Sequence, residues 1–491
     1  MEAPRNLRGV GVGDTISGGR PMKLWGGRFE KETDRLVFSF TQSLSFDRRL
    51  LPYDIRVTRA HARVLGECGV LDPAEMERVL RVLEELEGEA ERGEFSFSDE
   101  EDVHTAVERR LVERLGETGA KLRTARSRNE QVSADLRLMV MEECGQLLQL
   151  LGRLMEVILE KAEDYLGAVM PGYTHLQPAQ PVLLSHHLLA YFEMFKRDAG
   201  RFLQARRSAD ACPLGSGALA GVTFPLDRRL MAEELGFSGI TANSMDAVSD
   251  RDFVLDFLHA CVMVMSHLSR LGEEVVLWCS PAFGFAVLDE AFATGSSMMP
   301  QKMNPDVAEL VRAKGGRVLG SYVALAQVLK GLPLTYNRDL QEDKENLFDA
   351  LDQVKRCLRV MAEMLSTMEF RTDRMREAAG EGYTNATDLA DYLARKGLPF
   401  LRAHEVAGRL VRLCHERGIG LAELPLEDYR KVEPAVEEDV YEAISLDKCV
   451  EARDLEGGTA PSRVEEALRE ARDWLEGEME KWVGGYLHLA P

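Results

Sequence analysis

The sequence predicts an all-α protein, a three-part subunit whose middle is a bundle of five long helices. Three observations carry this expectation. Apolar residues recur at helical spacing over long stretches, strand-like alternation is scarce, and each long stretch stops at Gly, Pro or a polar loop. The first part, about 22–126, holds shorter candidate helices at 54–68, 73–91 and 102–115, with Ser98 and Glu101 fitting a capping box ahead of the last. The middle, 127–378, differs in kind. Val132, Leu136, Val140, Leu147, Leu151, Leu154 and Ile158 recur at spacings of three, four and seven, so one helix is expected over about 127–168, roughly 60 Å long at 1.5 Å per residue. Four more long helices are expected, at 182–211, 250–279, 305–329 and 342–368, followed by shorter ones over 379–491 with a break at Gly457-Gly458. Phe257, Leu258, Val262, Met263, Val264, Met265 and Leu268 nearly encircle the third long helix, which therefore needs neighbours on every side. Either the centre of the monomer's own bundle or a subunit interface meets that need.

Composition narrows the function classes. The 491 residues carry 61 Lys+Arg against 82 Asp+Glu, a formal charge of -21. A strongly acidic chain repels nucleic acids and anionic membranes, so any anionic ligand must meet a local cluster of cations. With 45% hydrophobic residues, a sizeable core is available and disorder is excluded as the main state. The eight cysteines, at 68, 144, 212, 261, 279, 357, 414 and 449, form no CxxC pair and no Cys/His spacing suited to zinc, which favours a reduced, cytoplasmic chain without a metal. The longest uncharged stretch, near 257–269, is too short to span a bilayer. Residues 1–21 lack a continuous apolar core and read as a flexible tail, with Met22 as an alternative start.

Three segments concentrate chemistry-bearing residues. In GSSMMPQKMNPD (295–306), between two long helices, Gly295, Ser296 and Ser297 give a mobile segment, Asn304 suits an N-cap and Pro305 a first helical turn. The free N–H groups of the following helix, together with Lys302, would then receive a carboxylate or a developing anion. In PGYTHLQPAQP (171–181), three prolines stiffen a linker that holds His175 beside Thr174 and Gln177, as a proton-transfer group would be held; a structural histidine is the competing reading. His259 and His267, on an apolar helix, read as core residues. In ARSRNEQ (125–131), Ser127 and Glu130 match a capping box, and Arg126 and Arg128 crowd a positive helix end, which hints at a bound anion; solvated arginines on a plain capped helix are the alternative. The run 336–345 reads as the solvated, charged start of the fifth helix. GSGALA (215–220) matches a dinucleotide fingerprint in letters only, because no strand precedes it. With neighbouring helices antiparallel, His175, Ser296 and Lys302 fall at one end of a straight bundle, while Arg126–Asn129 and Tyr336–Lys344 fall at the other, tens of Å away. A single site using all of them requires several subunits joined head to tail.

These residues are familiar as a set. GSSMMPQKMNPD resembles the signature loop of the fumarase/aspartase superfamily. KLWGGRF (23–29), ARSRNEQ, PGYTHLQPAQP, NSMDAVSDRD (243–252) and GLPLTYNRDLQEDKE (331–345) resemble the argininosuccinate lyase family within it, from Met22 almost to the C-terminus. The resemblance implies a homotetramer with a twenty-helix core and sites built from three subunits. It implies reversible anti elimination of argininosuccinate to arginine and fumarate, with no cofactor. It implies Ser296 as base, Lys302 and Asn304 as stabilisers of the anionic intermediate, and His175 as acid or part of its relay, with the Ser and His roles exchangeable. Substrate binding carries over to Ser43, Arg128, Asn129, Thr174, Asn304, Tyr336, Gln341 and Lys344. Three positions depart from the family pattern, which usually has Gly at Ala125, Asp at Glu130 and a second Lys at Met303. Adenylosuccinate lyase and a non-catalytic crystallin on the same fold are the competing expectations.

Overall fold

The computed structural model describes residues 33–484 and is mainly helical, with three two-stranded sheets among the described residues. The tail 1–21 and the segment containing Lys23 and Arg28 lie outside them. The chain divides into two compact units, meeting at Thr124/Ala125.

In the first unit, helices α1 (Leu51–Glu67), α2 (Pro73–Glu91) and α3 (Val103–Leu115) pack on one another. Asp72 and Glu75 form a reciprocal capping box at α2, with Pro73 at the first helical position, where its missing N–H costs nothing. The expected box at Ser98 and Glu101 is not formed. The backbone N–H of Ser98 donates to Glu100, and Asp102 caps α3 by accepting from the Thr105 N–H at 2.6 Å, because it is the residue directly before the first helical turn.

The second unit is built on α4 (Arg128–Asp164), whose 37 residues span about 55 Å. Its cap is the expected one, Ser127 with Glu130. After α4 the chain makes an antiparallel hairpin, β1 (Val169–Thr174) with β2 (Gln177–Leu183), and returns as α5 (Leu184–Ala209). The proline-rich linker is thus a hairpin rather than an interhelical loop. Pro171 and Pro181 face each other across it, and on a two-stranded ribbon the N–H that each proline lacks is no loss where it would point outward. Helices α6 (Asp252–Cys279), α7 (Asp306–Leu329) and α8 (Asp343–Thr367) complete the five. Between α6 and α7, β3 (Thr294–Gly295) pairs with β4 (Met303–Asn304). Farther on, α9 (Ala386–Arg395) and α10 (Phe400–Arg417) share a small apolar core, and α11 (Pro461–Gly484) returns to pack on α4.

Ladder and ion-pair contacts fix the helix directions. Near the start of α4, the Arg137 guanidinium pairs with Asp250, just ahead of α6, and Arg251 pairs with Asp343 at the start of α8. Near the far end of α4, Lys161 donates to the Met368 carbonyl, just past α8.

The third long helix, α6, is not encircled. It packs on α5, α7 and α8 but leaves a polar stripe of Asp252, Asp256, His259, Ser266, Arg270 and Glu273 in the open, because its apolar residues occupy the three sides that meet neighbours. By length and composition α6 could cross a membrane, yet that charged stripe is what hydrocarbon would reject. The helix with uncovered apolar surface is instead α7. Leu310, Leu319 and Val323 are 59%, 47% and 47% exposed, beside exposed Ala313, Gly316, Gly320 and Ala324.

Helices α6 and α7 approach closely at Gly272, where an added Cβ would lie 2.9 Å from the Ala308 carbonyl oxygen. Gly272→Ala is therefore expected to destabilise the protein by about 1–3 kcal/mol through forced separation of the two helices. The denaturant midpoint checks this, and an unchanged midpoint would show that the helices part without cost.

Candidate active site

At the hairpin end of the second unit, His175 and Leu176 form the two-residue tip between β1 and β2, both at φ +56°. Two consecutive left-handed residues are what a tight hairpin turn matching strand twist requires, and Asn-Gly is the usual choice. A His-Leu pair there carries backbone strain of the kind that collects at functional positions. Thr174, His175 and Gln177 are all exposed. The Tyr173 ring lies 5.5 Å from that of Phe283, which ties the hairpin to the segment after α6.

That segment leads to the Ser296 loop. Pairing of β3 with β4 pinches off residues 296–302 as an excursion that is exposed except at half-buried Ser296. Inside it, the Ser296 hydroxyl oxygen accepts from the backbone N–H groups of Met298 and Met299, at 3.2 and 3.0 Å. A hydroxyl that receives two N–H bonds has its oxygen stabilised as negative charge develops, which is the requirement for a serine acting as a base. The donors belong to the loop itself and not to helix α7. The Asn304 cap is also absent: Asn304 lies in β4, its amide 3.5 Å from the Thr294 hydroxyl, and Pro305 takes the capping position with no side-chain bond. Asp306 and Glu309 in the first turn of α7 already supply that helix end with negative charge. Lys302 is exposed.

The opposite end of the unit is organised by Glu130. It is buried, and its two carboxylate oxygens accept from the Ser127 N–H at 3.0 Å and the Gly217 N–H at 2.7 Å. Burial pushes its carboxyl pKa up, against the opposing effect of those bonds. The loop 215–220 is thereby held over the start of α4, where the Asn129 amide donates to the Ala218 carbonyl at 3.1 Å. Its glycines have a steric role, since Gly217 sits at φ +61° and an added Cβ would meet the Gly221 oxygen at 2.6 Å. No sequence signal pointed to this role; only the Gly-Ser-Gly spacing marked the loop as unusual. Arg128 donates to Gln131 at 3.3 Å, and Arg126 is buried rather than solvated. Ala125, where the family usually has Gly, does adopt a left-handed angle, φ +53°.

The run 336–345 is a short 3-10 turn, Arg338–Glu342, leading into α8, and Asp343 and Lys344 within it are not solvated. Asp343 and Lys344 are buried: Asp343 accepts from Lys344 Nζ at 2.7 Å through one oxygen and from Arg251 Nε at 2.5 Å through the other. Tyr336 and Gln341 are half-buried nearby in sequence, and Thr335 is left-handed at φ +75°. In the first unit, Ser43 is buried, with its hydroxyl donating to Asp47 at 2.5 Å.

Within one chain the second unit therefore gathers Arg128, Asn129 and Lys344 at one end, and Thr174, His175, Ser296, Lys302 and Asn304 at the other, separated by most of the length of α4.

A family model described as lyase matches residues 27–320, and one described as argininosuccinate lyase C-terminal matches residues 383–451. The chain is 57% identical over 454 residues to an argininosuccinate lyase of Pelotomaculum thermopropionicum, covering 92% of this chain and 99% of that one. It belongs to the argininosuccinate lyase family. A second family member, from Symbiobacterium thermophilum, is 54% identical over 458 residues, covering 93% and 99%. Among solved structures, an EDDS lyase in complex with formate superposes with a TM-score of 0.80 at 28% identity, over 92% of each chain. A class II fumarase from Schistosoma mansoni, at 15% identity and a TM-score of 0.71 over 81% of this chain and 89% of that one, shares the fold. The family's C-terminal model falls on the region containing α9 and α10.

Each oxygen of Glu130 takes one backbone N–H, whereas an amide offers a single acceptor. Glu130→Gln is expected to lose about 1–3 kcal/mol of stability and to speed amide exchange at Gly217. A variant with an unchanged midpoint and a protected Gly217 amide would mean the loop is held by other contacts.

Proposed function

We propose that the protein catalyses the reversible anti β-elimination of argininosuccinate to L-arginine and fumarate in arginine biosynthesis, in the cytoplasm and without a cofactor. The observation that carries this reading is likeness to argininosuccinate lyases over nearly the whole of both chains. Eight cysteines, all unpaired, suit a reducing compartment.

The elimination asks for three things. A base must take a carbon-bound proton beside a carboxylate. The electron pair then moves into that carboxylate, and the resulting dianion needs preorganised positive charge. The departing guanidino nitrogen needs a proton as the carbon–nitrogen bond breaks. In this reading Ser296, as an alkoxide favoured by the Met298 and Met299 N–H groups, takes the proton. Lys302 and Asn304 face the developing dianion, and His175 delivers the proton to nitrogen. Ser43, Arg128, Asn129, Thr174, Tyr336, Gln341 and Lys344 bind the substrate, whose three carboxylates suit the cations among them.

Because the groups from the second unit lie at both ends of α4, this reading requires a site shared between copies. We place them in a homotetramer in which α7 of each chain lies at the centre. The support is the open face of α7, where small residues alternate with exposed Leu310, Leu319 and Val323, a surface suited to close packing against another helix.

Fumarate absorbance distinguishes the reading from its competitors: release from argininosuccinate and none from adenylosuccinate is expected, and release from neither refutes it. Ser296→Ala is expected to lower kcat by about two to four orders of magnitude with the fold intact, and near-normal turnover would remove Ser296 as the base. Mixing Ser296→Ala with Lys344→Met chains through unfolding and refolding should restore part of the lost activity. Failure to restore any, in particles the size of four chains, would mean each site is built from one copy.

A further inference from the structure

The segment 243–252 has no role in the reading above, yet it ends in the most deeply buried ion pair of the described residues. Arg251 and Asp343 are separated by 92 positions and both side chains are fully buried, 0% exposed. Arg251 Nε donates to one Asp343 oxygen at 2.5 Å, and Arg251 Nη1 donates to the Asp250 carbonyl at 2.7 Å. The other Asp343 oxygen takes the Lys344 ammonium at 2.7 Å. Arg251 Nη2 is buried with no hydrogen-bond partner.

Two features make this more than a structural strut. Replacing a buried ion pair by apolar groups is often neutral or stabilising, so stability alone does not account for one. The direct bonds also leave Lys344 incompletely matched. The Asp250 side chain is engaged by Arg137, which Asp246 also faces, so Asp343 is the one carboxylate bonded to both Arg251 and Lys344 in a dry setting. With Arg251 holding one oxygen, Asp343 anchors Lys344 without cancelling its charge. Without Arg251, Asp343 and Lys344 would neutralise each other.

We propose that Arg251 and Asp343 are positioning residues for Lys344: Asp343 orients its ammonium, and Arg251, by sharing Asp343, keeps that ammonium attractive to a substrate carboxylate. The inference rests on the lyase reading and assigns Lys344 to substrate affinity.

The test uses the full chain and argininosuccinate. Asp343→Asn alone would strand Arg251 as a buried unpaired charge and threaten the fold. The double variant Arg251→Met/Asp343→Asn removes both ends together. It is expected to melt near the parent temperature and to raise KM about tenfold or more, as loss of a charge-assisted contact does, with kcat within about threefold. In a Lys344→Met background the same pair of substitutions should add no further rise. A folded double variant with unchanged KM overturns the proposal, as do increases that multiply with that of Lys344→Met, since a merely structural pair would act independently of Lys344. If the double variant does not fold, Arg251→Met carries the test. It leaves Asp343 paired with Lys344 alone, so a KM rise of about threefold or more is expected, and an unchanged KM overturns the proposal. A parent chain that releases no fumarate refutes the lyase reading. A parent that does, with normal KM in Lys344→Met, overturns this inference and the binding role of Lys344 while leaving the lyase reading intact.

Discussion

The length of α4 governs the arrangement of everything else in the second unit. Thirty-seven residues of uninterrupted helix hold two sets of loops about 55 Å apart, and antiparallel α5 with parallel α6 and α8 keep them there. Every chemistry-bearing segment falls at one end or the other, and none in between. A rigid spacer of this kind gives precise placement within each end and forbids contact between ends. Shared sites in an assembly of copies are the economical solution, and the uncovered face of α7 supplies the surface on which copies would meet.

The two ends differ in what they offer. At one, an exposed excursion and a strained hairpin tip present Ser296, Lys302 and His175 to the surroundings, with a hydroxyl whose oxygen already receives two N–H bonds. At the other, buried carboxylates do the organising: Glu130 fastens a glycine loop over Asn129, and Asp343 fastens Lys344. Acidic residues, which make the whole chain -21, thus serve locally to hold cationic and amide groups in place. In the proposed reading the proton-transfer groups Ser296 and His175 are on loops, and the binding groups Arg128, Asn129 and Lys344 are on helix starts, a division suited to a reaction in which charge builds up only after binding.

Particular residues show how much was legible beforehand. Ser127 and Glu130 cap α4 as their spacing implies, and the five long helices lie within a few residues of their expected limits. The hairpin at 169–183 was hidden because three prolines read as a loop, whereas a two-stranded ribbon has an open edge on each strand and tolerates them. Asn304 has the composition of a cap but is drawn into β4 by pairing with Thr294. Lys344 and Asp343 looked solvated because their neighbours in sequence are charged; Arg251, far away in the chain, is what makes their burial possible. The encircled appearance of α6 came from apolar residues on three sides, with the fourth side polar.

Features that depend on residues within a turn or two of each other were therefore written locally: helix limits, the α4 cap, and the family motifs with the chemistry they imply. Partnerships across long separations were not. Glu130 meets Gly217 over 87 positions and Arg251 meets Asp343 over 92, and whether a charged group is buried depends on what packs against it, which composition around that group does not reveal. Packing also decided which helix keeps an open apolar face, because α6 packs on α4, α5, α7 and α8 whereas α7 packs chiefly on α6 and α8, which leaves its far side uncovered.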